Sequence, residues 1–110
     1  MKICRLADIV PDTGVAALVG GEQVAVFRIH QEVYAIGNRE PFSGTNVLSR
    51  GIVGDLNGQL VVASPVYKQH FSLLTGRCIE DPSVSVPIYR ARVEGTDIQI
   101  LLTGESPCRT

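Results

Sequence analysis

The sequence predicts a small all-β domain, an antiparallel sandwich or barrel, on three observations. Short stretches rich in Val, Ile and Leu recur along the chain, glycine-bearing turn signals separate them, and no window sustains the 3.6-residue apolar period of an amphipathic helix. The chain has 110 residues and a mass of 11.9 kDa, which is material for one core of ordinary domain size. Hydrophobic residues make up 45% and charged residues 19%, a globular balance rather than a disordered one.

The elements follow in chain order. Residues 15–19 and 23–29 flank Gly20-Gly21, a dipeptide free to take the positive φ that a tight hairpin needs. Residues 33–36 form another short strand. Residues 38–49 then lose strand character, with Pro41 and Gly44 as breakers, and are expected to form a long functional loop. Any helix should be one or two turns long and fall within 45–49. Residues 52–56 and 59–63 flank Asn57-Gly58, the strongest two-residue hairpin signal available to a natural sequence. After Ser64-Pro65, residues 66–69 read as a second loop, 71–74 as a short strand and Thr75-Gly76 as a turn. Residues 89–93 and 97–101 form the last hairpin around Gly95-Thr96, with Ala91 and Val93 alternating against Arg90, Arg92 and Glu94. The domain is expected to span 1–103, and the polar segment 104–110, with Pro107 and Cys108, to be a flexible tail.

Charge and composition exclude several functions. Ten Lys plus Arg against eleven Asp plus Glu give a net charge of -1, so no long-range positive field draws in phosphate backbones, and nucleic acid is not an expected partner. The longest apolar run, residues 15–19, is far short of the roughly 20 residues that cross a bilayer. No basic-then-apolar leader opens the chain, so a soluble, cytoplasmic protein with no membrane partner is expected. Cys4, Cys78 and Cys108 form no C-x-x-C pair, which points to free thiols in a reducing compartment. With His30 and His70 the only imidazoles, the usual zinc and iron-sulfur spacings are absent.

Candidate chemical groups each have a plainer reading. Cys78 as a nucleophile needs a base such as His70 beside it; a buried structural thiol is the commoner outcome. His30 and His70 stand without a carboxylate at helical or strand spacing and are assigned structural or surface roles. Glu40 and the Glu80-Asp81 pair lie near loops, where split carboxylates can run acid and base chemistry, although Glu80-Asp81-Pro82 reads better as a turn. The glycines build no phosphate cradle. On residues alone this is an all-β domain with two ordered loops and no catalytic constellation.

A resemblance sharpens this reading. Asn38-Arg39-Glu40-Pro41-Phe42, the stretch 51–58, and Ser64-Pro65-Val66-Tyr67-Lys68-Gln69-His70-Phe71-Ser72-Leu73-Leu74-Thr75-Gly76 together resemble the two ligand loops of the Rieske [2Fe-2S] fold. On that template Glu40 and Phe42 stand where the first Cys and His belong, and Ser64 and Tyr67 where the second pair belongs. A Rieske centre takes two thiolates on one iron and two imidazoles on the other. The resemblance therefore implies a kept scaffold, two long loops at one tip, and a lost cluster. Pro41-Phe42-Ser43, Asn46-Val47-Leu48-Ser49-Arg50-Gly51, Ala63-Ser64-Pro65, Tyr67-Lys68-Gln69 and Glu80-Asp81-Pro82 narrow it. They are similar to the small-subunit family of the assimilatory NAD(P)H-dependent nitrite reductases, over residues 6–102.

That family implies an accessory, non-catalytic subunit with no cofactor of its own. Its large partner subunit carries FAD, an iron-sulfur centre and sirohaem, and reduces nitrite to ammonium. The expected partner interface is Arg39, Phe42, Arg50, Tyr67 and Lys68, since aromatics with Arg are enriched at interface hot spots. Against this, Phe42 and Tyr67 could turn inward and fill the vacated space, with Tyr67 filling and Arg39 and Lys68 exposed. The alternatives are a Rieske-type [2Fe-2S] electron carrier and a small independent enzyme using Cys78 or Glu40.

Overall fold

The computed structural model describes residues 2–100. Strand β3 (Glu22–Ile29) lies at the centre, because its run of Val24, Ala25, Val26 and Phe27 is apolar on both faces. All four are fully buried, and alternation sends Val24 and Val26 to one side and Ala25 and Phe27 to the other. Strands β2 (Thr13–Val19) and β4 (Glu32–Gly37) pair antiparallel on either side of β3, and β10 (Ile88–Tyr89) extends the sheet beyond β4.

Each face of this four-stranded sheet carries its own core. Strands β1 (Lys2–Arg5), β12 (Asp97–Ile100) and β11 (Ala91–Glu94) form a sheet in that order, whose Ile98 and Ile100 pack with Val24, Val26, Val33 and Ala35. Strands β7 (Ile52–Leu56), β8 (Gln59–Ala63) and β9 (His70–Ser72) form another, whose Val62 and Phe71 pack with Ala25, Phe27 and Ile36. Each such buried Val, Ile or Phe contributes about 1.5 to 3 kcal/mol, so the two-sided β3 is the structural spine.

The hairpins at Gly20-Gly21, Asn57-Gly58 and Gly95-Thr96 form where their turn residues place them. Gly20, Gly21, Asn57, Gly58 and Gly95 all take positive φ, as primed turns require. All-β architecture is the outcome, with single 3-10 turns at Leu6–Asp8 and Leu48–Arg50 as the helical elements among the described residues. The second overlaps the expected 45–49. No described helix is long and apolar enough to cross a membrane.

Several expectations need correction. Strand β1 adds to the expected set; its KICR sequence is too short to show an alternation of its own, and it is held by pairing to β12. The expected strand 89–93 divides at Arg90: Tyr89 pairs with Ala35 in the central sheet, while Ala91–Glu94 pair with β12. The strand expected over 71–74 is His70–Ser72, and Leu74 turns out to solvent. The loop 38–49 contains its own short hairpin, β5 (Arg39–Glu40) with β6 (Thr45–Asn46). The expected tail 104–110, Cys108 and position 101 lie outside the described residues.

Gly76 shows how closely backbone approaches backbone here. It has φ 78°, and a Cβ at this position would strike the Val86 carbonyl oxygen. Gly54 has open space around its Cβ position and no positive φ. Gly76→Ala should therefore cost roughly 2 to 4 kcal/mol in urea unfolding. Gly54→Ala should stay within about 0.5 kcal/mol of the parent. Equal effects would place the constraint elsewhere.

Candidate functional site

Both former ligand loops leave the same end of the β7–β8–β9 sheet. Ile52 pairs with Ala63 and Ala63 with His70, so the loop ending at Arg50 and the loop running from Ser64 to Gln69 emerge side by side. Gly51 makes this possible: a Cβ there would run into the Ala63 carbonyl and Val62. The two turns could not sit so close with any larger residue.

Asn38 closes the first loop at its base. Fully enclosed, its Oδ1 accepts the Ser49 N–H at 2.7 Å, its carbonyl accepts the Leu48 N–H at 3.1 Å, and its Nδ2 donates to Gln23 Oε1 at 3.1 Å. Inside the loop Glu40 is completely buried. Its carboxylate accepts the N–H groups of Phe42 at 2.7 Å and Ser43 at 3.0 Å, and its carbonyl accepts from Gly44 at 2.7 Å. A buried carboxylate is costly unless charge-assisted bonds compensate it. These bonds shape the tip.

The second loop is built the same way on a smaller scale. Ser64 is fully buried, its Oγ accepts the Val66 N–H at 3.2 Å, and its carbonyl accepts from Lys68 at 3.0 Å. The Ser64 N–H donates to the Gln69 carbonyl at 2.8 Å, closing the turn, with Lys68 at φ 67°. Thus Glu40 and Ser64, where the resemblance puts thiolates, are inner acceptors for main-chain N–H groups.

Phe42 and Tyr67, where it puts imidazoles, lie outside. Phe42 is 38% exposed and leans on buried Phe71, ring centroids 6.4 Å apart and tilted by 47°. Tyr67 is 56% exposed, which corrects the expectation that it fills the interior. Arg39, Arg50 and Lys68 are exposed, the Arg39 guanidinium lying against Gly44. All five expected interface residues therefore reach the surface of the two loops. The donor set does not fit an iron-sulfur cluster: the four positions offer no thiol and no imidazole, and the two oxygen acceptors are already engaged by N–H groups.

A third group was missed by local spacing. His70 is not without a carboxylate: its Nδ1 lies 2.6 Å from Glu80 Oε2, and its backbone N–H donates to Glu80 Oε1 at 2.8 Å. Ten residues separate the two, across a turn that folds Ile79 back onto the His70 carbonyl. Burial pushes the Glu80 carboxyl up, but the His70 hydrogen bonds outweigh it and hold it below its ordinary range. Cys78 Sγ sits 3.8 Å from Glu80 Oε1, and burial pushes its thiol up. A buried thiol that resists ionising is a poor nucleophile, so the cluster braces the second loop. Among the described residues Cys4 and Cys78 are free thiols, and no group of three or more His, Cys, Asp or Glu could hold a metal ion.

Comparison with known proteins fits this geometry. The Rieske-like [2Fe-2S] domain family matches residues 1–101. The nitrite reductase (NADH) small subunit of Escherichia coli K12 is 49% identical over 100 residues, covering 89% of this chain and 93% of the relative. The solved structure of the E. coli protein NirD superposes with a TM-score of 0.84 at 49% identity, over 91% of this chain and 93% of that one. The ferredoxin of carbazole 1,9a-dioxygenase from Nocardioides aromaticivorans superposes at 0.80 with 26% identity, over 91% and 94%. A nitrite reductase [NAD(P)H] large subunit from Klebsiella oxytoca is 40% identical over 98 residues, covering 89% of this chain and 10% of that protein.

The His70–Glu80 pair makes a pH prediction. A carboxyl held below its ordinary value of 4.5 adds stability that is fully present above that value and is lost as pH falls through the lower, folded value. With both side chains partly exposed the gain is at most about 1 kcal/mol. Glu80→Gln should melt lower than the parent at neutral pH, and the gap should close below pH 4.5. A gap that widens in acid would contradict the pairing.

Proposed function

The chain belongs to the Rieske-like [2Fe-2S] domain family and, within it, to the small subunits of NAD(P)H-dependent nitrite reductase, and we propose from this that its former ligand loops are its docking surface. In this reading it is a non-catalytic cytoplasmic subunit that holds no cluster. It supports a large subunit carrying FAD, an iron-sulfur centre and sirohaem while that subunit reduces nitrite to ammonium.

One observation carries the reading. Inner positions Glu40 and Ser64 fix the two loops from within, so Arg39, Phe42, Arg50, Tyr67 and Lys68 are displayed at one end of the sheet on loops that need no metal for their shape. Loops with a defined form, exposed aromatics and cations suit a protein partner. The Klebsiella large subunit supports the choice of partner: there the matching domain occupies 10% of the same polypeptide. The Rieske electron-carrier alternative lacks its ligands at Glu40, Phe42, Ser64 and Tyr67.

Two measurements check the reading. Purified protein should be colourless and hold no stoichiometric iron; a [2Fe-2S] EPR signal after reduction would overturn the loss of the cluster. Reversing charge at Arg39, Arg50 and Lys68 together should weaken binding to the large subunit, each exposed contact contributing on the order of 1 kcal/mol. Calorimetry and reconstituted NAD(P)H-dependent nitrite reduction read this directly. Unchanged affinity and activity in a folded triple variant would move the interface off these loops.

A further inference from the structure

Strand β2 is an edge strand without the usual protection. It closes the order β10-β4-β3-β2, pairs with β3 over seven consecutive residues with no bulge, and reads Thr13-Gly-Val-Ala-Ala-Leu-Val19, with no charge and no proline. From Gly14 to Val19 the described hydrogen bonds run to β3 alone. The other sheet edges are blunted. β1 carries Lys2 and Arg5 and a register shift, β11 carries Arg92 and Glu94, β7 carries Asp55, and β9 and β10 have three and two residues. Natural sheets manage such edges with charge, proline, bulges or brevity, because an open ladder templates a further strand. On β2, Ala16 and Leu18 also face solvent, Leu18 at 69% exposure.

We propose that the β2 edge accepts an extended, uncharged segment of the large subunit as a fifth strand of the central sheet. The inference rests on the docking reading above and extends it from the loops to the sheet. Two observations choose this occupant over a second copy of the chain. A stable interface takes roughly 20 to 30 residues a side, and one seven-residue edge falls well short of that. The edge is also continuous with the first loop. The 3-10 turn Leu48–Arg50 packs on β2, the Ser49 carbonyl lying where a Cβ on Gly14 would go. At the other end Leu18 shares a groove of about 740 Å³ with Arg39, Pro41 and Asn46. A partner seated on the loop therefore meets the edge. Strand addition supplies main-chain hydrogen bonds with little demand on sequence, which suits Gly, Ala and Leu side chains.

Hydrogen exchange on the reconstituted complex of full-length chain and large subunit tests this residue by residue. In the free chain the outward amides between Gly14 and Val19 should exchange rapidly, and in the complex they should slow by at least about tenfold. Ala16→Lys with Leu18→Lys, both at exposed positions, should weaken association about tenfold while the variant melts as the parent does. Loops 38–50 and 64–69 protected in the complex with β2 amides unchanged would overturn this inference and leave the docking reading standing. Failure of any complex to form would remove both. Protection of the β2 amides already in the free chain would also overturn it, assigning the edge to a second copy if protection fades on dilution and to the chain's own residues if it does not.

Discussion

The first loop keeps its shape because one fully buried carboxylate is satisfied by main-chain donors. Glu40 accepts the N–H groups of Phe42 and Ser43 on its two carboxyl oxygens, and its own carbonyl receives Gly44. A buried carboxyl group left without partners would otherwise be costly. The loop must therefore curl around it, and that curl sends Phe42 outward against Phe71 and leaves Arg39 at the surface. Ser64 does this for the second loop on a smaller scale, its neutral hydroxyl accepting the single N–H of Val66. A metal-binding family places its anchoring thiolates at these two positions. Here an oxygen acceptor stands at each, so protein hydrogen bonds do the ordering.

Everything beneath the loops serves to bring their ends together. β3 is buried on both faces, which lets one four-stranded sheet support two separate cores, and the core containing Phe27 and Phe71 anchors the β7–β8–β9 sheet from which both loops emerge. Gly51 permits the contact with Ala63 that sets the loops side by side. Asn38 ties the far end of the first loop to Gln23 on β3, so the loop base belongs to the rigid sheet. The His70–Glu80 pair braces the second loop from its C-terminal side. Rigid loops lose less entropy on association, and this is the physical link between the fold and a supporting role in an enzyme complex.

Much of this was legible in the residues. Gly20-Gly21 and Asn57-Gly58 place hairpins because few dipeptides tolerate positive φ twice. The loops were visible as breaks in strand pattern, and the four substituted ligand positions as departures from a spaced template. Local pattern failed where tertiary pairing decided. Lys2–Arg5 becomes a strand through β12, whereas the turn His30-Gln31 falls in the expected gap between strands, with His30 at φ 57°. Arg90 breaks a run that alternates perfectly well as one strand, because Tyr89 is claimed by the central sheet. His70 meets Glu80 across ten residues of chain, a distance no periodicity reports. The sequence allows Tyr67 to fill vacated space, yet Tyr67 stands exposed while Glu40 and Ser64 are the buried members of the four positions.

Under the docking proposal a preformed, metal-independent first loop binds the large subunit, and Glu40 is the residue on which the form of that loop depends. Glu40→Ala removes both loop-shaping bonds without touching a surface residue. Its affinity for the large subunit, measured by calorimetry beside the parent under conditions where both are folded, is the most direct measurement. A loss of about tenfold or more is expected, with a larger entropic penalty as the loosened loop is ordered on binding. Binding as tight as the parent's, in a variant whose 38–50 amides have lost their protection, would contradict it.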